Sequence, residues 1–151
     1  IGFGTYLQTL AWPAGFILLA KGAKRPFFWL EVSTAVVQVT LMVVLVPIYG
    51  HVGAGMAFCL MYLSHTAAVT YLAKRASGFA WSRDNALIAL GYLSVIAAVF
   101  AGFYLLEALQ ALALGVTATV LAGCFSAAAL LQLVPVAALP PIMRPLASRL
   151  R

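Results

Sequence analysis

Apolar positions along the chain come in unbroken runs of about 20 residues, with neither the two-residue alternation of a half-buried strand nor the polar stripe of a surface helix. The runs cover about 2–20, 27–48, 52–73, 85–106 and 111–133. An α-helix of roughly 20 residues crosses the ~30 Å hydrocarbon core of a bilayer, so each run predicts one membrane-spanning helix. Strands are excluded because an open sheet edge in lipid leaves backbone groups unpaired, whereas a helix satisfies its own. The expected fold is therefore all-α and integral to a membrane, with five transmembrane helices in a single domain and a tail at 134–151.

Composition strengthens this reading, since 65% of the residues are hydrophobic and only 8% are charged. The charges that remain carry topology. Lys21, Lys24 and Arg25 fill the break "KGAKRP", Lys74, Arg75 and Arg83 the break "KRASGFAWSRD", and Arg144, Arg149 and Arg151 the tail. With five spans all nine basic residues fall on one side, which the positive-inside rule makes cytoplasmic, together with the C-terminus. The uncharged turn "PIYGH", residues 47–51, then faces outward. The net charge of +6 does not indicate nucleic-acid binding, because the basic residues flank spans and form no continuous face with interleaved aromatics. They do favour contact with anionic membrane lipid.

Local signals refine the elements. Pro47 ends a helix near the preceding residue, and Gly50 permits the positive φ of a helix stop. Gly53 and Ala57 form a small-xxx-small pair that allows close helix approach. Ala111, Gly115, Thr119, Gly123 and Ala127 form a longer stripe of this type, flanked by Ala118, Ala122 and Ser126. The strip Ser94, Ala98 and Gly102 predicts a close antiparallel partner for it. Asp84 is expected to cap the helix at 85–106, with Ser82 as the alternative, and Cys59 and Cys124 are expected to stay free.

Polar residues inside the runs are the candidates for chemistry. Glu31, Thr34 and Gln38 stand at i, i+3 and i+7 on one helix face, Gln8 and Trp12 share a face of the first run, and His65 lies near the middle of the third. An ionisable group at membrane depth is costly, so Glu31 and His65 are candidate substrate or coupling residues. Each has a plainer alternative: Glu31 pairing with Lys24 or Arg25, and His65 as a neutral hydrogen-bonded contact between helices. The chain contains no paired-carboxylate site, His-Glu-x-x-His, Gly-x-Ser-x-Gly or phosphate loop, so neither an enzyme, a metal nor a cofactor is expected.

Residues 18–75 resemble the later spans of polysaccharide and lipid-linked oligosaccharide flippases of the O-antigen exporter type, in the superfamily that also holds multidrug extruders. The resemblance rests on a small basic loop, a helix ending in "LVPIYG", an immediate "GHVGAGMA" restart and a basic exit at Lys74 and Arg75. It implies the C-terminal portion of a twelve-helix, two-lobe transporter of the inner (plasma) membrane, its partners being a lipid-linked oligosaccharide and the N-terminal lobe. The first residue, Ile1, agrees with a segment of a longer protein. Gln38 and Met42 depart from the asparagines expected along the second helix. On this resemblance the chain moves a lipid-linked saccharide from the cytoplasmic to the outer leaflet by alternating access, with Lys21, Lys24 and Arg25 attracting a diphosphate headgroup. A cation-coupled multidrug-type exporter and a non-transporting membrane subunit are the alternatives.

Overall fold

A computed structural model describes residues 1–133; the expected tail at 134–151, with Arg144, Arg149 and Arg151, lies outside the described residues. Every regular element among them is an α-helix: α1 (Gly2–Ala20), α2 (Lys24–Ser77), α3 (Arg83–Leu105) and α4 (Ala108–Leu133). Four helices thus stand where five were expected, because the second and third runs are joined in α2, an element of 54 residues. Three of the helices, α2, α3 and α4, are long and apolar enough to cross a membrane. The first helix is not among them; Thr5, Tyr6, Gln8 and Thr9 interrupt its N-terminal half and Pro13 its middle.

The 54 residues of α2 do not form one rod. At Gly50 the backbone takes φ 58° and ψ −135°, a combination open only to a residue without Cβ. Thr34 Oγ1 lies 2.8 Å from His65 Nδ1, although the two residues are 31 apart in sequence. A straight helix would separate them by about 46 Å. A Cβ on Gly53 would likewise strike the Leu45 carbonyl, and Leu30 packs in one cluster with Val69. Each of these pairs is centred near residue 50, so α2 folds back there into two antiparallel arms, 24–49 and 51–77. Pro47 contributes by withholding the N–H that would continue the first arm.

The molecule divides into two compact units, Ile1–Leu93 and a second beginning at Ser94. In the first unit α1 lies against both arms of α2. Its C-terminus is a Schellman stop: Ala23 N–H donates to Leu18 O and Gly22 N–H to Leu19 O, both at 3.0 Å, with Gly22 at φ 72°. The core joins Ala11, Ala14 and Leu18 of α1 to Leu30, Val69 and Ala73 of α2. Near the other end of α1 the Phe58 ring closes over Gly4, where any Cβ would collide with it. The start of α3 is held by Ser82, whose Oγ accepts Asn85 N–H at 3.2 Å, so Ser82 rather than Asp84 is the cap. Tyr6 O–H then donates to Ala89 O at 2.7 Å, tying α1 to α3.

The packing also sorts the charges of this unit. Phe27, Leu72 and Phe79 gather around the Leu18 cluster, which puts the α1–α2 turn and the end of α2 together. Lys21, Lys24, Arg25, Lys74 and Arg75 therefore share one end of the unit, and Tyr49, Gly50 and His51 lie at the other.

In the second unit α3 and α4 meet near their shared turn, where Leu114 fills the space above Gly102 and Val99 lies beside Gly115. The inner side of α4 follows Ala111, Gly115, Ala118, Ala122 and Ser126, whereas Thr119, Gly123 and Ala127 are exposed. A strict four-residue stripe advances 40° per step at 3.6 residues per turn and leaves the contact face, so the expected 111/115/119/123/127 stripe is corrected beyond Gly115. On α3 the inward residues are Val99 and Gly102, while Ala98 is exposed.

Most large apolar side chains point outward, and Leu18 and Val69 are the largest that are fully enclosed among the described residues. A surface of this composition is costly in water and suited to lipid. The protein is helical and membrane-embedded.

Candidate functional site

An open pocket of about 470 Å³ lies between α1 and the two arms of α2, entirely within the first unit. Each wall is one helical face. On α1, Gln8, Ala11, Trp12, Gly15, Phe16 and Leu19 recur at three- and four-residue intervals; the first arm adds Phe27, Glu31 and Thr34, and the second Tyr62 and His65. The small side chains at 11 and 15 create the space, and the aromatic groups around them form its sides. Trp12 and Phe16, 58% and 67% exposed, stand at the rim.

The polar groups are connected. Thr34 Oγ1 is 2.8 Å from both Leu30 O and His65 Nδ1. A hydroxyl has a single proton, and Thr34 gives it to Leu30 O in the usual back-bond of a helical threonine. With that proton given to Leu30 O, His65 Nδ1–H donates to Thr34 Oγ1, and in the neutral imidazole Nε2 is then an acceptor. Tyr62 stacks edge-on against His65, with ring centroids 6.0 Å apart, and its hydroxyl lies toward the side chain of Gln8. The charge of Glu31 acts on both Tyr62 and His65.

Among the described residues, Glu31 is the single formally charged one lining the pocket. It makes no ion pair with Lys24 or Arg25, so the expected pairing with the basic loop is not formed among the described residues. Glu31 lines the open pocket and is itself exposed, as are Lys21, Lys24 and Arg25 in and after the turn beyond Leu19 and Phe27.

Of the residues singled out from sequence, Gln8, Trp12, Glu31, Thr34 and His65 come together here. Gln38 does not line the pocket; it sits one turn further toward Gly50, with its Oε1 enclosed and unbonded. Tyr62, Phe16 and Phe27 were missed. Tyr62 was accessible to the same reasoning, standing three residues before His65 on its face, but Phe16 and Phe27 look like any other lipid-facing aromatics until the helices are assembled.

A second cavity of about 550 Å³, between α1, the second arm and the first half of α3, is walled almost wholly by hydrocarbon and includes Cys59. Both cysteines are free, and no group of three or more potential metal ligands occurs among the described residues.

Compared with protein-family models, curated proteins and solved structures, the chain finds no match.

Proposed function

We propose that this chain is the C-terminal part of a membrane translocase that moves a lipid-linked saccharide from the cytoplasmic to the outer leaflet by alternating access. The carrying observation is the pocket of Gln8, Trp12, Glu31, Thr34, Tyr62 and His65 set among otherwise apolar helices. Polar groups at membrane depth are retained at a cost, and a connected set of them around an open space suits a polar cargo. Aromatic faces attract the weakly positive C–H edges of a sugar ring, and amide, carboxylate and hydroxyl groups match its hydroxyls.

On this reading each arm of α2 crosses the membrane, as do α1, α3 and α4, giving five crossings. The basic end is cytoplasmic and the Gly50 turn faces outward. Sugar occupies the pocket while the lipid tail stays in the bilayer. Among the described residues no lysine or arginine lines the pocket, so a diphosphate belongs at Lys21, Lys24 and Arg25, just past its Leu19 and Phe27 end. Those side chains are exposed and available to it.

One observation favours a second reading. A carboxylate among Trp12, Phe16, Phe27 and Tyr62 also suits an amphiphilic cation, the cargo of a multidrug-type exporter. Transport by the intact protein in sealed vesicles separates the two. A fluorescent lipid-linked oligosaccharide should change leaflets in its presence, and Trp12→Ala should slow that movement about tenfold or more without lowering the amount in the membrane. Movement of an aromatic cation and none of the glycolipid would overturn the saccharide reading in favour of the exporter.

A further inference from the structure

Resting on the saccharide reading, we infer that the pocket selects its sugar by charge, accepting neutral or amine-bearing residues and excluding acidic ones. Among the described residues the lining contains one carboxylate, Glu31, and neither lysine nor arginine. Glu31 has no ion-pair partner among the described residues, so its charge is not already spent on Lys24 or Arg25. A uronate entering beside it brings a second negative charge next to the first, and like charges at short range repel.

Recognition of an acidic sugar calls for a bidentate cation such as arginine, and none among the described residues lines this space. The other groups facing Glu31 are Gln8, Thr34, Tyr62 and His65. Thr34 is committed to Leu30 O and His65, while the Gln8 amide and the Tyr62 hydroxyl keep capacity for a sugar hydroxyl. His65 is the one group that could offset the carboxylate, by taking a proton at Nε2. At pH 8, above the ordinary imidazole range of ~6.5, it is held neutral and the pocket carries the full charge of Glu31. A glucosamine-type amine gains from that charge, and a hexose pairs its hydroxyls with the same oxygens.

The test uses the intact protein in vesicles at pH 8, with three lipid-diphosphate-linked disaccharides identical but for a terminal glucose, glucosamine or glucuronate. The common diphosphate cancels in the comparison. Glucose and glucosamine probes should be carried at similar rates and the glucuronate probe about tenfold more slowly, as expected for like-charge juxtaposition. Glu31→Gln should bring glucuronate to within about twofold of glucose. Equal transport of all three, or a slow glucuronate that Glu31→Gln leaves unchanged, overturns charge selection while the saccharide reading stands. Failure to move any of the three removes both.

Discussion

Thr34 shows how much a single side chain settles. Its hydroxyl back-bonds to Leu30 O and receives His65 Nδ1–H, so it holds the two arms of α2 in register and orients the imidazole toward the pocket. Sequence spacing put Thr34 on the face of Glu31, but it carried no information on which residue of a later helix lies opposite. Removing the hydroxyl by Thr34→Val strands the His65 donor and should cost about 1 kcal/mol, since His65 is only half-buried, whereas Thr34→Ser should restore most of it. Thermal unfolding in lipid nanodiscs would read both. Gly50 makes a sharper case, because φ 58° with ψ −135° excludes any L side chain without strain. Gly50→Ala should therefore destabilise by about 1–3 kcal/mol. The pyramid of evidence for this turn was partly legible in Pro47 and Gly50; the plainer expectation for Glu31, an ion pair, failed because which way a helical side chain points depends on the neighbours it meets.

At the level of elements, hydropathy located the apolar runs closely. The runs at 27–48 and 52–73 correspond to the two arms of α2, 24–49 and 51–77, which the non-helical backbone at Gly50 separates. Small residues were informative where two backbones actually meet. Gly53 and Ala57 are both buried in the hairpin, as a small-xxx-small pair suggests, and Gly53 lies directly against the Leu45 carbonyl. Gly53→Ala should cost about 1–3 kcal/mol, because the obstacle is backbone and cannot rotate away. Gly123 offers the contrast. Nothing lies within 4 Å of where its Cβ would be, so Gly123→Leu should leave thermal stability unchanged within about 0.5 kcal/mol. A loss as large as that of Gly53→Ala would restore the four-residue stripe as a packing face. The stripe misled because identical small residues signal close approach only where a partner follows the helix.

For the molecule as a whole, the decisive feature is that α2 returns on itself, which gathers Lys21, Lys24, Arg25, Lys74 and Arg75 at one end of the first unit and leaves His51 at the other. The same reversal brings His65 to Thr34 and builds the pocket. Charge placement pointed to this arrangement from sequence, but the pocket, which needs α1 and both arms together, was not visible until they were packed. Cysteine labelling tests the reversal most directly. In a background with Cys59 and Cys124 replaced by alanine, single cysteines at Gly22, His51 and Ser77 are exposed to an impermeant thiol reagent added from outside intact cells. The hairpin in its proposed orientation predicts labelling at 51 and protection at both 22 and 77. Labelling of only one of 22 and 77 would place the two ends of α2 on opposite sides of the membrane and contradict it.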